Sequence, residues 1–194
     1  MDQTLEKAIQ VLKSGGIVIF PTDTAFGVGC RIDDERAIEK LFRIRQRASN
    51  KPTPVLFSSI GQVKEYTENF PEGVEELMEK YWPGALTIVL PANKSRIPKL
   101  VRGGGENIGC RIPSHPAVLQ IIKEVGVPIL GTSANFNGEP TPYTTEDLDP
   151  KLVNLVDFVV PGLTSVHKES TVIDCTQKPW KILRQGFVEL IIKN

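Results

Sequence analysis

Residues 17–29 read IVIFPTDTAFGVG, an apolar run followed directly by a polar, glycine-bearing segment. Its first part, Ile17 to Phe20, is a continuous apolar run, which is typical of a strand buried on both faces. Pro21 ends the run, and a polar segment with hydroxyls, a carboxylate and glycines follows at once. In open α/β sheets, ligands bind where strands end. The stretch therefore predicts an α/β protein with a binding site beside this strand.

Helical and strand patterns alternate along the chain on both sides of residues 17–29. Leu5, Ile9 and Leu12 share one helical face, and a glycine pair at 15–16 ends that helix. Asp33 and Asp34 can cap the next helix, and further helical patterns span 59–68, 71–81 and 115–125. Strand-like runs gather near the C-terminus. This order predicts one α/β domain over residues 1–194, with a twisted mixed sheet flanked by helices.

The whole-chain composition narrows the function classes. Of 194 residues, 40% are hydrophobic, and 23 Lys and Arg balance 23 Asp and Glu to give a net charge of zero. Proteins that hold a nucleic-acid backbone are usually basic, so any anion site here must be local. No stretch approaches the roughly 20 apolar residues of a membrane span, and the acidic N-terminus is unlike a signal peptide. We therefore expect a cytoplasmic protein with no membrane partner.

The cysteines and histidines argue against a disulfide-bonded protein and against a metal-binding protein. Cys30, Cys110 and Cys175 are odd in number, far apart and form no CxxC pair, which predicts buried thiols in a reducing compartment. His115 and His167 have no second ligand at metal spacing, so we predict no metal site built from protein side chains.

A second segment repeats the design of residues 17–29. The apolar strand 128–131 runs directly into Thr132-Ser133-Ala134-Asn135, with Gly138 close behind. Hydroxyls and backbone amides suit phosphate oxygens and small zwitterions. The same residue types also cap helices and form turns, so the sequence alone leaves both interpretations open.

Arginines supply the second signal. Arg45 and Arg47 follow a predicted helix, Arg111 interrupts an apolar strand, and Arg184 follows another. An arginine on a buried strand requires an anionic partner, which is either a carboxylate of the protein or a ligand. Asp23 and Glu169 could act on a proton or a metal, although turn and capping roles are commoner for such residues. No GxxxxGK[ST] loop and no GxSxG elbow is present.

Seven phrases, in order, are similar to the signatures of one family. They are PTDTAFGVG at 21–29, RQRASNKP at 45–52, WPGALT at 82–87, RIPSHP at 111–116, TSAN at 132–135, STVID at 170–174 and LRQG at 183–186. Together they cover nearly the full length, and the chain resembles the YrdC-like threonylcarbamoyl-AMP synthases in their short, single-domain form. The resemblance implies a YrdC-like fold, with a concave cleft inside the mixed sheet and its helices.

The resemblance also implies a reaction. L-Threonine, bicarbonate and ATP, with Mg²⁺ carried by ATP, would give threonylcarbamoyl-AMP and pyrophosphate. The product feeds the threonylcarbamoyl modification of the tRNA adenosine next to the anticodon, which separate transferase proteins complete. Those transferases are the implied protein partners.

Site residues follow from the matching motifs. The resemblance assigns L-threonine binding to Thr22, Arg111, Ser133 and Ser170, and ATP binding to Arg45, Arg47, Ser49, Asn107, Asn135, Tyr143 and Arg184. It implies no protein nucleophile: Arg45, Arg47, Ser133 and Asn135 would act by positioning and charge. Three positions depart from the family pattern, because Arg45 replaces a lysine, Ala48 a proline and Phe26 a tyrosine.

Two alternatives stay open. One is an RNA-binding module of the same fold, in which a concave arginine surface binds RNA weakly; the zero net charge counts against it. The other is a YciO-like paralogue with poor synthase activity, which the departures at Arg45 and Ala48 allow.

Overall fold

The computed structural model describes residues 2–190, so Met1 and residues 191–194 of the expected 1–194 domain lie outside the described residues. The helices of this range are α1 (Gln3–Lys13), α2 (Glu35–Ile44), α3 (Ile60–Tyr66), α4 (Val74–Tyr81), α5 (Pro116–Val125) and α6 (Pro150–Val153). The strands are β1 (Val18–Pro21), β2 (Phe26–Gly29), β3 (Val55–Leu56), β4 (Leu86–Pro91), β5 (Asn107–Arg111), β6 (Ile129–Leu130), β7 (Thr132–Ser133), β8 (Phe158–Val159), β9 (Thr171–Asp174) and β10 (Lys181–Arg184).

The strands form two mixed sheets. The smaller has the order β7-β2-β1-β8, in which β8 runs parallel to β1 and the other pairs are antiparallel. The larger has the order β10-β9-β4-β5-β3-β6 and alternates antiparallel and parallel pairs. The predicted α/β class with a mixed sheet is confirmed, and the strands divide between two sheets.

The two sheets meet where β6 leads into β7. Gly131 is the single residue between these strands, and β6 belongs to the larger sheet whereas β7 pairs with β2 in the smaller one. The Gly131 amide donates to the Pro54 carbonyl at 3.0 Å, and a Cβ at this position would lie 2.2 Å from the Leu56 side chain. The predicted strand 128–131 therefore ends at Leu130, because the chain changes sheets there.

Local sequence explains where the helices begin and end. The Asp34 carboxylate caps α2 by accepting from the Ala37 amide at 3.0 Å, as predicted. The α1 helix ends at Lys13 with Ser14 as its C-cap, and Gly15 follows with a left-handed φ of 79° that favours glycine. The predicted helix 71–81 begins only at Val74, because Gly73 takes a left-handed φ of 85°. None of the helices within residues 2–190 is long and apolar enough to cross a membrane.

Apolar side chains form two buried clusters. The larger contains side chains from β2, α2, β4 and β5, and the smaller joins α1 and α5 to the other face of β1. Ile19 belongs to the first cluster and Phe20 to the second, so successive residues of β1 point to opposite sides. This arrangement confirms a strand buried on both faces. Cys30, Cys110 and Cys175 are buried free thiols, as expected.

Gly29 offers a test of the close approach between the two sheets. A Cβ on Gly29 would lie 1.8 Å from the Leu130 carbonyl oxygen, and backbone atoms cannot rotate away. We predict that Gly29→Ala lowers the free energy of unfolding by about 1–3 kcal/mol, measured by urea denaturation. Gly61→Ala on α3 is the matched control, because nothing nearer than 3.8 Å faces its Cβ. Equal stability of the two variants would contradict this packing.

Candidate active site

A cavity of about 330 Å³ lies where the two sheets meet. The turn after β1, the start of β2, the β6–β7 junction, β4, β5, β9 and β10 all contribute to its wall. Its polar lining residues are Thr22, Thr24, Arg47, Thr87, Arg111, Thr132, Ser133, Thr141, Glu169, Ser170 and Arg184. Both of the segments that were singled out in the sequence therefore line one cavity.

Pairing between β2 and β7 brings these two segments together. Gly27 lies opposite Ser133, and the Ala134 amide donates to the Phe26 carbonyl at 2.9 Å. Gly27 has no room for a side chain, because a Cβ would lie 2.8 Å from the Phe20 ring. The hydroxyls that follow β1 and those of β7 thus share a wall because their backbones are hydrogen-bonded neighbours.

The Thr22 side chain organises the turn after β1. Its hydroxyl donates to the Ala25 carbonyl at 2.7 Å and lies 3.2 Å from the amides of Thr24 and Ala25. Thr22 is 4% exposed, so this hydroxyl is buried as well as hydrogen-bonded. The turn is therefore fixed before any ligand arrives, which is a role typical of threonine in turns.

Arg111 reaches from β5 across to that turn. Its guanidinium donates to an Asp23 carboxylate oxygen at 2.7 Å and to the Thr24 hydroxyl at 2.8 Å, and its Nε donates to the Gly84 carbonyl at 2.9 Å. Both charged side chains are less than one tenth exposed. The same Asp23 oxygen accepts from the Ser114 amide at 3.1 Å. Of the two partners that the sequence left open for Arg111, the structure shows a carboxylate of the protein.

Arg45 holds the second segment from behind. It is 3% exposed, and its guanidinium donates to the Asn135 carbonyl at 2.9 Å, to the Asn135 amide oxygen at 2.7 Å, to the Thr132 hydroxyl, and to the Ser133 hydroxyl at 3.4 Å. Its own carbonyl accepts from the Asn137 amide at 3.0 Å. Arg45 does not line the cavity, whereas Ser133 does. The predicted anion-contacting side chain is therefore used to shape residues 132–137.

The opposite wall carries Ser170, Arg184 and Glu169. The Ser170 hydroxyl lies 2.9 Å from the Thr87 hydroxyl and accepts from the Arg184 guanidinium at 3.0 Å. Arg184 also lies 3.0 Å from a Glu169 carboxylate oxygen, and the other Glu169 oxygen accepts from the Thr141 hydroxyl at 3.0 Å. Arg184 thus also has a carboxylate of the protein as its partner, but at 44% side-chain exposure it stays accessible to a ligand.

The remaining predicted residues divide between this cavity and its surroundings. Arg47 lines it and donates to the Pro52 carbonyl at 2.6 Å, while its buried Nε has no hydrogen-bond partner among residues 2–190. Asn135 and Tyr143 line a neighbouring cavity of about 480 Å³, which shares Thr141 with the first. Ser49 lines a separate groove of about 520 Å³ between α2 and the loop at 98–104. Asn107 is not among the residues that line these three spaces.

Sequence reasoning missed part of the lining. Thr87 and Thr141 contribute hydroxyls, and Asp23 pairs with Arg111 instead of capping a helix or serving only the turn. A threonine inside the apolar strand 85–90 was a legible signal for Thr87, because a buried hydroxyl needs a partner. The choice of Asp23 as the partner of Arg111 depends on a separation of 88 residues, which no local pattern reports.

Burial shifts the pKa values of arginines at the cavity and of two core cysteines. It lowers the pKa of Arg111, and the adjacent Asp23 carboxylate opposes that change. Burial, followed by repulsion from Arg47, lowers the pKa of Arg45 to about 10. Burial raises the pKa of the thiols of Cys30 and Cys110, which therefore stay protonated and unreactive at neutral pH. The site thus offers fixed positive charge and hydroxyls.

Comparisons with known proteins extend this description. The family model for Sua5, YciO and YrdC proteins, described as Telomere recombination, matches residues 10–186. The protein named threonylcarbamoyl-AMP synthase from Bacillus subtilis is 35% identical over 189 residues, which cover 95% of this chain and 54% of that protein. The chain spans about half the length of this relative and of its Pyrococcus abyssi counterpart.

Two solved structures share the fold. The crystal structure of P. abyssi Sua5 complexed with L-threonine matches with a TM-score of 0.90 at 32% identity, covering 94% of this chain and 54% of that one. The crystal structure of E. coli YciO matches with a TM-score of 0.85 at 27% identity, covering 97% and 92%. The resemblance stated from seven short phrases is confirmed by both comparisons, and this chain belongs to the Sua5/YciO/YrdC family.

Proposed function

We propose that this chain catalyses the formation of threonylcarbamoyl-AMP and pyrophosphate from L-threonine, bicarbonate and ATP. The observation that carries the proposal is the single cavity that gathers Thr22, Arg111, Ser133, Ser170 and Arg184 from separate parts of the chain. The relatives named for this synthase and the threonine complex of P. abyssi Sua5 support the same assignment.

Threonine belongs in the deeper part of the cavity in this proposal. The hydroxyls of Ser133 and Ser170 and the guanidinium of Arg111 would hold it, and Thr22 fixes the turn against which it lies. Each of these groups is held by protein hydrogen bonds, so little ordering entropy remains to be lost on binding. A small amino acid fits a cavity of about 330 Å³.

ATP would lie across the cavity mouth. Arg47 and Arg184 supply positive charge for the triphosphate, and the neighbouring space lined by Asn135 and Tyr143 would receive the rest of the nucleotide. Ser49 and Asn107 belong to the ATP set by family resemblance, although neither lines these two cavities. Arg45 contributes through the shape of residues 132–137. Mg²⁺ enters with ATP, since it prefers phosphates and water to a protein cage.

The chemistry needs alignment and charge more than a reactive side chain. Bicarbonate takes up a proton and loses water to give CO₂, and the ammonium group of threonine loses a proton to solvent. The free amine then attacks CO₂, and a second proton is released as the carbamate forms. A carbamate oxygen then attacks the α-phosphorus of ATP, a new P–O bond forms, and the bond to pyrophosphate breaks. Positioned reactants and guanidinium groups near the phosphates accelerate such a transfer. The acyl-phosphate product would pass to tRNA-modifying transferase proteins.

Pyrophosphate release tests this proposal. We expect release from ATP and bicarbonate with L-threonine, much less with L-serine because one methyl group is missing, and none without an amino acid. A chain that binds ATP and threonine without releasing pyrophosphate would favour the YciO-like alternative. Steeply salt-dependent RNA binding without pyrophosphate release would favour the RNA-binding alternative.

Arg45 provides a second test, because it supports the site without lining it. We predict that Arg45→Ala lowers kcat/KM by about a hundredfold, because residues 132–137 lose the guanidinium hydrogen bonds that orient them. Arg45→Lys, the family-like residue, should recover part of the activity, because one ammonium replaces only some of the hydrogen bonds.

Arg43→Ala is the matched control for Arg45, because Arg43 is exposed in the last turn of α2, two residues before the C-cap residue Arg45. It should leave kcat/KM unchanged. If Arg45→Ala raised the KM for ATP alone and left threonine use intact, Arg45 would be a direct ATP contact, contrary to this account.

A further inference from the structure

The charges that line the cavity are unequal. Over the residues that the structure describes, three guanidinium groups line it, from Arg47, Arg111 and Arg184, against one carboxylate, from Glu169. Arg111 is already paired with Asp23 at 2.7 Å. Arg47 and Arg184 suit the anionic parts of the substrates. An amino acid at neutral pH also carries an ammonium group, which requires acceptors.

The hydroxyls of Thr22 and Ser170 on the cavity wall already form hydrogen bonds within the protein. The Thr22 hydroxyl donates to a carbonyl and lies within 3.2 Å of two amides. The Ser170 hydroxyl is shared between Thr87 at 2.9 Å and Arg184 at 3.0 Å. Asp23 is 5% exposed, and one of its oxygens accepts from both Arg111 and the Ser114 amide. These groups have little capacity left for an incoming cation.

Glu169 has that capacity. One of its oxygens accepts from the Thr141 hydroxyl at 3.0 Å, and the other lies 3.0 Å from the Arg184 guanidinium. An ionised carboxylate offers about four lone-pair sites, so acceptor positions remain on both oxygens. The side chain is 39% exposed and lines the cavity next to Ser170. Its two contacts hold it in place without saturating it.

We propose that Glu169 binds the ammonium group of the amino-acid substrate. This inference rests on the proposed function and adds a specificity residue that the family resemblance did not assign. Hydrogen bonds between charged groups are about twice as strong as neutral ones, so the carboxylate gives the cavity its preference for an amino acid. The guanidinium and hydroxyl groups alone would accept a carboxylate ligand that lacks the amine equally well.

Glu169 also orients Arg184, so the test must separate the two roles. Isothermal titration calorimetry with the whole chain would compare L-threonine with 2,3-dihydroxybutanoate, which has a hydroxyl in place of the ammonium. We expect the unmodified protein to bind threonine about ten- to a hundredfold more tightly than this analogue. Glu169→Gln should remove that preference, and Glu169→Asp should retain part of it.

Glu146→Gln is the matched control, because Glu146 is exposed and lines neither this cavity nor its neighbour. It should behave as the unmodified protein. Glu169→Ala gives the same test if the glutamine variant does not fold. Equal weakening of both ligands in the Glu169 variants would overturn the inference, since it would assign Glu169 to the support of Arg184.

Pyrophosphate release by the unmodified protein separates the two proposals. Release with threonine, together with an unchanged preference in Glu169→Gln, would overturn the role of Glu169 and leave the synthase intact. Absence of both threonine binding and pyrophosphate release in the unmodified protein would overturn the synthase, and this inference with it.

Discussion

The buried ion pair between Arg111 and Asp23 is the interaction on which the site depends. Arg111 belongs to the larger sheet and Asp23 to the turn of the smaller one, so the pair joins the two sheets at the cavity. Neither side chain is more than 8% exposed. Breaking a buried pair leaves an uncompensated charge, which costs far more than an exposed pair contributes. The position of the turn after β1 is therefore fixed by electrostatics as well as by packing.

Hydrogen bonds from buried groups shape the rest of the cavity in the same way. Arg45 orders residues 132–137 from behind, and Ser170 is held between Thr87 and Arg184. The glycine between β6 and β7 lets the chain pass from one sheet to the other, which places Ser133 opposite Gly27. Such a site enters the reaction already organised. That suits a transfer in which substrates supply the nucleophile and the protein supplies alignment and charge.

Sequence reasoning reached the class of fold and much of the cavity lining, because both depend on local patterns. The run at 17–20 identified a strand buried on both faces, and the two hydroxyl segments after strands identified one wall of the cavity. It did not reach the division into two sheets, since a single residue, Gly131, separates β6 from β7 and carries no local mark of that change. It also did not find the partners of Arg45 and Arg111, because these contacts join positions nearly 90 residues apart.

A double-mutant cycle on Asp23 and Arg111 measures whether this buried ion pair couples the two sheets. The free energy of unfolding would be measured by urea denaturation for Asp23→Asn, Arg111→Met and the double variant. Each single change should cost about 3–5 kcal/mol, because it leaves one buried charge without its partner. The double variant should cost far less than the sum of the two. Single costs that add to within about 0.5 kcal/mol would show that the two side chains are energetically independent, and would contradict the account.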